Sequence, residues 1–414
     1  MAHAIRCSSG AGKGWRETFA TCSSLRTPPE RSAIRRSLAA TTDTCSVGKV
    51  AARVVIASSA PSRALRPRGF LASLIACHAI NDFTSQVLPP LFPAIRAAFG
   101  LSFLQVGVLQ FASTVVSASA QIPVAYAADR LRRRRACIAL GFLTYVVALL
   151  FLSRAQTYIG LVAATALIGL GSSAYHPQST SMIAFAYPKN RGRASGLHGI
   201  GNGIGFAASS AIGGTLVGRL GWSVAAMIMS VPALCGAALA TTTLPEPNVA
   251  GSVGLLQGLS RRLGLLTIVA GLTLSASAGF SAFLPAYYVS RHMSFAQAGV
   301  LAALFQAPAL LAQPVGGLIS DRLGRRTMLV VSSLGVAVFL ALFELTRPLL
   351  ALQIGVSMIA GLWASLAPPI VLVYASELSV GQRTGTAIAL VWGMGIMVSS
   401  LAPPLAGAVI DHQG

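Results

Sequence analysis

The chain repeats itself. The segment GLISDRLGRR (317–326) reappears in weaker form as AYAADRLRRR (125–134), and Asp321 lies 192 positions after Asp129. The same interval of 192 relates Ser294-Phe295 to Ser102-Phe103, Gln297 to Gln105, Gly299-Val300-Leu301 to Gly107-Val108-Leu109, and Pro285 to Pro93. Whatever one copy folds into, the other must fold into as well. In each copy the short basic loop separates two long apolar runs, so the repeating unit is a set of hydrophobic helices rather than a soluble domain.

Composition leads to the same conclusion independently. With 54% hydrophobic residues, 10% charged residues and a mean hydropathy of +0.70, the chain lacks the polar surface that would keep 414 residues in solution. A net charge of +21 would suggest nucleic acid in a soluble protein. Here the arginines sit in an N-terminal tail and in short loops between apolar runs, where membrane orientation accounts for them, so no nucleic-acid partner is expected. Cys7, Cys22, Cys45, Cys77, Cys137 and Cys235 show neither metal-ligand spacing nor a paired framework and read as free thiols. No cofactor or metal is expected.

Residues 1–69 are rich in Arg, Ser, Thr and Ala and poor in acids, a composition that reads as a disordered basic tail. It resembles an organellar transit peptide, and a plain cytoplasmic tail is a second reading. The favoured third is a start codon assigned too far upstream, because Met1 is the sole methionine before the membrane domain. The weak apolar run GKVAARVVIASSA, interrupted by Arg53, is no secretory signal.

A helix needs about 20 mostly apolar residues to cross a hydrocarbon core. Such runs fall near 70–98, 103–128, 136–153, 157–186, 193–218 and 222–244, and again near 264–290, 295–319, 327–346, 349–377 and 382–410. The pattern predicts an N-terminal six-helix half over 70–244, a linker over 245–263 and a C-terminal half over 264–414. Six and five runs make 11 spans. GGTLVGRLG (213–221) corresponds to AGAVIDHQG (406–414), and the first copy then continues into a sixth helix, so a twelfth helix is expected to be missing. One set of loops carries Arg130, Arg132 to Arg135, Lys189, Arg191, Arg193, Arg261, Arg262, Arg322, Arg325, Arg326 and Arg383; the opposite set carries far fewer basic residues. The first set is expected on the cytoplasmic side of an inner (plasma) membrane, with the tail and linker.

Two six-helix halves with G-x-x-x-D-R-x-G-R-R between the second and third helices of each resemble the major facilitator superfamily. The second copy carries Gly317, Asp321, Arg322, Gly324, Arg325 and Arg326; the first departs from the pattern at Ala125 and Arg132. HAIND (78–82) and GLGSSAYHPQS (169–179) are similar to the fosmidomycin-resistance exporters within it, which tend to carry an acid where this chain has Gln178. The resemblance implies an all-α membrane fold of the major facilitator type. It also implies a cavity lined by helices 1, 4, 7 and 10, and transport by alternating access. On that basis Asn81, Gln86, Tyr175, Gln178, Tyr287, Tyr288 and Trp363 are expected to line the cavity. Asp129, Arg130, Arg133, Gly317, Asp321, Arg322, Gly324, Arg325 and Arg326 are expected to form a gate, the carboxylates latching one side shut through arginines and a helix N-terminus.

Asp82 is the residue that the apolar background exposes most clearly. It lies about 12 residues into its run, near mid-membrane, where burying a charge costs at least ~3 kcal/mol. It needs either a function, such as loading and releasing protons, or a structural partner such as Asn81 or His78. His78 and His176 are expected to assist, with His198 in the next tier, and Pro177 frees a backbone carbonyl beside His176. The string GIGNGIG (199–205) mimics a dinucleotide fingerprint but follows no strand, and reads as helix packing, as do Gly393 and Gly395. Pro368-Pro369 and Pro403-Pro404 are expected to break their helices. Together these features predict a monomeric, proton-coupled exporter of small organic molecules, with protons and a small molecule as partners in a lipid bilayer. Uptake or exchange of a metabolite is an alternative, weakened for anions by the lack of a deep arginine or lysine. An enzyme is not expected, since no catalytic cluster is visible; a receptor or a non-functional fragment are the readings from other classes.

Overall fold

The computed structural model describes residues 69–188, 190–246, 260–378 and 384–413, all within one unit spanning Arg63–Gly414. The tail to residue 68, Lys189, most of the linker and Arg383 lie outside the described residues. Every regular element among the described residues is an α-helix. The first copy supplies α1 (Phe70–Ser85), α2 (Leu88–Phe99), α3 (Phe103–Leu131), α4 (Arg134–Arg154), α5 (Tyr158–Ser173), α6 (Tyr175–Ala186), α7 (Arg191–Met229) and α8 (Val231–Thr243). The second supplies α9 (Arg261–Ser290), α10 (Phe295–Gln306), α11 (Ala309–Leu323), α12 (Arg325–Leu345), α13 (Leu350–Leu378), α14 (Thr384–Ser399) and α15 (Ala402–Gln413). Nine helical stretches among the described residues are long and apolar enough to cross a membrane. Large apolar side chains such as Leu140, Val147, Ile159, Leu311, Leu318 and Leu334 stay exposed on the bundle, as lipid contact requires.

The sequence repeat is repeated in atomic detail. Ser102 caps α3 and Ser294 caps α10, each accepting from the amide three residues on, while Gln105 and Gln297 reach back to close a capping box. At the far end of the unit, Gly324 turns the chain with φ 87°. Its counterpart Arg132 adopts the left-handed conformation at φ 53°, so the turn forms there without the glycine, at a steric cost that only glycine avoids.

Prolines explain where the helices part from the expected runs. The run 70–98 is divided at Gln86-Val87, and Pro89 and Pro90 fall in the first turn of α2, where an N–H has no intrahelical partner to lose. The run 157–186 divides at Ala174, which puts Pro177 in the first turn of α6. Pro308 divides the run 295–319 between α10 and α11. The runs 193–218 and 222–244 meet at a kink at Gly221, φ 78° and ψ 165°, and divide again at Ser230, ahead of Pro232. Pro403 and Pro404 open α15, as a helix break there predicts. Pro368 and Pro369, by contrast, do not break α13. Their flanking residues Ala367, Ile370 and Val371 are buried in the packed core of the second copy, and that packing holds the helix through its two missing N–H groups.

The two copies meet through a pair of matching seams. On α15 a Cβ added at Gly407 would lie 2.2 Å from the carbonyl oxygen of Phe103, at the start of α3; on α7 a Cβ added at Gly214 would lie 2.4 Å from the carbonyl oxygen of Phe295, at the start of α10. Each helix start is thus pressed against a glycine of the opposite copy. The seams differ in one respect. Asp411 accepts hydrogen bonds from the amides of Phe103 and Leu104, both at 2.8 Å, capping α3 from across the interface. The matching position on α7 is Gly218, which has no side chain to reach Ala296.

Removing the cap by Asp411→Ala is expected to lower stability by about 1 kcal/mol, read as a lower thermal midpoint of the detergent-solubilised protein. Gly407→Val should destabilise more, by about 1–3 kcal/mol, because the added carbons meet backbone that has no room to yield. A Gly407→Val protein as stable as the wild type would contradict the seam.

Candidate functional site

In an apolar bundle, polar side chains cluster because no other neighbour satisfies them. α1 carries His78, Asn81 and Asp82 on the face it turns to α7 and α6. Asp82 is 1% exposed, and four polar side chains converge on it. Asn81 donates to Oδ1 at 2.8 Å and Asn202 of α7 to Oδ2 at 2.6 Å. Nε2 of His78 lies 3.2 Å from Oδ2, and Nε2 of His176 lies 3.6 Å from Oδ1. The side chain of His176 is 31% exposed and leads from Asp82 toward the outside of the cluster.

The surrounding hydrogen bonds fix where protons sit. Tyr175 donates its hydroxyl proton to the carbonyl of Leu74 at 2.6 Å, so Nε2 of His198, 2.9 Å from the same hydroxyl, is the donor there. Nδ1 of His78 lies 2.8 Å from the carbonyl of His198, which only accepts, so Nδ1 carries a proton. In a neutral His78, Nε2 is then a lone pair facing a carboxylate oxygen. One further proton between them, on either partner, would turn the 3.2 Å contact from a repulsive one into a hydrogen bond. The rings of His78 and His198 stack at 4.1 Å, and Tyr145 donates to Asn81 at 3.3 Å, so the pair cannot easily turn away from each other. Ligand atoms of His78, Asp82 and His176 lie within 4.8 Å of one another, the one such group among the described residues. Both carboxylate oxygens are already engaged by amides, and no metal is assigned.

The glycine string lets these helices come so close. On opposite faces of α7, Gly201 and Gly205 lie against α1, where added Cβ atoms would meet the carbonyls of Ile75 and Ala79 at 2.6 and 2.4 Å. Gly199 and Gly203 lie against α11, where they would meet Oε1 of Gln313 at 2.2 Å and the amide of Leu310 at 2.7 Å. Gly393 has nothing within 4 Å, so the packing role extends to only part of the expected set.

The other expected site residues fall into separate places. Gln178 is buried beside Arg134, which donates to it at 3.3 Å and pairs with Asp129 at 2.5 Å; Gln178 points away from Asp82. Gln86 lines a narrow cleft between the copies with Ser210, Ser281 and Gln306. Tyr287 and Tyr288 pack with Phe343 at the far end of α9, where Gln353 donates to the Tyr287 hydroxyl at 2.7 Å. Trp363 packs over Gly335 between α12 and α13. Neither tyrosine nor Trp363 joins the histidine cluster.

In the loop motifs, Asp321 pairs with Arg325, which also donates to Glu377 at 3.0 Å and to the carbonyl of Gly317 at 3.4 Å. Arg130 donates to Tyr126 at 3.3 Å, and Arg133 precedes the first residue of α4 without a side-chain capping hydrogen bond. Arg322, Gly324 and Arg326 are exposed beside them. Both aspartates thus pair inside their own copy among the described residues, and the carboxylate that caps a helix of the other copy is Asp411. Sequence reasoning passed over Asn202, Gln313, Glu377 and Asp411; the lone asparagine inside a glycine string was the one visible signal for the first.

The Major Facilitator Superfamily profile matches residues 74–259 and 263–414. The fosmidomycin resistance protein of Escherichia coli K12 is 25% identical over 372 residues, covering 86% of this chain and 90% of its own. An uncharacterized MFS-type transporter, YfnC, of Bacillus subtilis 168 is 26% identical, covering 82% and 85%. The probable nitrate transporter NarT of Staphylococcus carnosus is 25% identical, covering 67% and 73%. Among solved structures, a bacterial homolog to the human lysosomal transporter Spinster, in an inward-facing and occupied conformation, superposes with a TM-score of 0.71 at 19% identity, covering 84% of this chain and 83% of its own. The chain belongs to the Major Facilitator Superfamily of transporters.

Proposed function

We propose that the chain is a proton-coupled exporter of small organic molecules of the fosmidomycin type, working by alternating access of its two copies. The observation that carries this reading is the 3.2 Å contact between Nε2 of His78, whose Nδ1 already carries a proton, and the buried carboxylate of Asp82 in the last turn of α1, where a further proton would bind. His176 gives that proton a route outward. The match to the fosmidomycin resistance protein across 86% of the chain favours export of that chemistry. In this reading the halves 70–244 and 264–414 rock as units about the linker 245–263. The Asp129 and Asp321 loops lie on the cytoplasmic face, and the cleft beside Gln86 belongs to the substrate path.

Uptake of a small anion is the second reading, favoured by the similarity to NarT. The buried Arg134 is the cation nearest such a role, and it is already engaged by Asp129 and Gln178.

Cells deprived of their own exporters and expressing this chain are expected to accumulate less fosmidomycin, and a protonophore should abolish the difference. Asp82→Asn, which keeps the shape and loses the charge, should return accumulation to the level of cells without the protein. His78→Ala, which leaves Asp82 its amide donors and takes away its proton partner, should remove the protonophore-sensitive part of the difference. Unchanged fosmidomycin in cells with well-expressed protein, together with nitrate uptake, would replace the exporter reading with the anion one.

A further inference from the structure

The amide of Asn202 faces two ways. Its Nδ2 donates to Asp82 on α1 at 2.6 Å, and its Oδ1 accepts from Nε2 of Gln313 on α11 at 2.8 Å. Asp82 and Asn202 belong to the first copy and Gln313 to the second, so this three-residue line joins the buried carboxylate to the opposite half. Its polarity is set from the Asp82 end. A carboxylate only accepts, so Asn202 must present its NH2 there, which leaves its oxygen for Gln313 and requires the NH2 of Gln313 in return. The glycines that flank Asn202 on both faces of α7 bring α1 and α11 within reach of one short side chain.

We propose that Asn202 and Gln313 are positioning residues that carry the charge state of Asp82 to the second half of the molecule. The inference rests on the proton reading of Asp82. A hydrogen bond to an ionised carboxylate is roughly twice as strong as one to a neutral group, so a charged Asp82 holds Asn202, and through it Gln313, more firmly than a neutral one does. Neutralising Asp82 loosens the link between the copies. Gln313 sits on α11 eight residues before Asp321, on the helix that ends in the second loop motif, where Ser320 and Asp321 both accept from Arg325. The groups that share the environment of Asp82 are His78 and Cys77 on its own helix, Tyr145 on α4, Tyr175 and His176 on α6, and His198 on α7. None of these reaches the second copy through a described hydrogen bond. Asn202 does.

The test is a distance measurement between the copies as a function of pH, which needs no knowledge of the substrate. Spin labels at Leu131→Cys and Leu323→Cys, repeat-related positions 67% and 60% exposed at the ends of α3 and α11, are placed in the full chain with its native cysteines replaced. Double electron–electron resonance in lipid nanodiscs then reads the distance distribution from acid to alkaline pH. The wild type is expected to shift between two populations. Gln313→Met, which keeps an unbranched side chain against Gly199 and removes the donor, should show one distribution at every pH, and Asn202→Leu should do the same from the other side. Gly407→Ala, which disturbs the seam between the copies without touching this line, should change the populations and keep their pH dependence. A pH response preserved in both Gln313→Met and Asn202→Leu would overturn the relay while leaving the proton reading intact. A wild type that ignores pH would remove the proton reading, and the relay with it.

Discussion

The arrangement of the whole bundle depends on how closely two copies of one unit can approach each other. At Gly407 against Phe103 and Gly214 against Phe295, a helix of one copy lies directly on the first backbone carbonyl of a helix in the other. No side chain fits there. In lipid, helices gain little from hiding apolar surface, so contact of this kind, backbone on backbone with dispersion and the occasional hydrogen bond, decides which helices associate. The two seams are related by the repeat, yet Asp411 gives only one of them a charged cap. A symmetric scaffold therefore carries an asymmetric fastening, and the two seams need not open with equal ease.

The same tension between repetition and asymmetry governs the site. At the interval of 192, His78, Asp82 and His176 correspond to Ala270, Leu274 and Pro368. The second copy repeats the helices, caps and turns and omits the ionisable cluster. Duplication supplied the frame, in which Ser102 and Ser294 or Arg132 and Gly324 play equivalent parts; among the described residues the buried ionisable cluster belongs to one half alone. A buried charge is expensive enough that a second cluster would need its own set of donors, and the positions matching His78, His176 and Asn202 are Ala270, Pro368 and Met394.

How much of this was legible in the residues follows from what an apolar background reveals. A carboxylate in the middle of a hydrophobic run is visible at once, and Asp82 with His78 and His176 does form one cluster. The loop motifs and helix starts were visible because the repeat marked them twice. Asn202 was hidden because an asparagine among glycines reads as packing, and its importance lies in two partners 120 and 111 positions away. Gln178 stood two residues after His176 in sequence, yet in a helix each residue turns about 100° from the one before, and it turned to Arg134 instead. Pro368-Pro369 misled for the opposite reason. Local chemistry argued for a break, and burial of Ile370 and Val371 in the surrounding core overruled it.

The histidine cluster and the glycine string are two sides of one design constraint. For a proton at Asp82 to affect the far half, some group has to bridge three helices, and asparagine reaches only a few ångströms from its own backbone. Bulky residues at 199, 201, 203 and 205 would hold α1 and α11 away from α7 and leave Asn202 with at most one partner. With glycine at all four, added Cβ atoms on either face would lie between 2.2 and 2.7 Å from neighbouring atoms, which measures how tightly the three helices are drawn together. The close packing that holds these helices thus also sets the length of the link between the carboxylate and the opposite copy. Loss of packing at any of these glycines should therefore affect coupling as well as stability, because α7 cannot move away from either neighbour without stretching one of the two hydrogen bonds of Asn202.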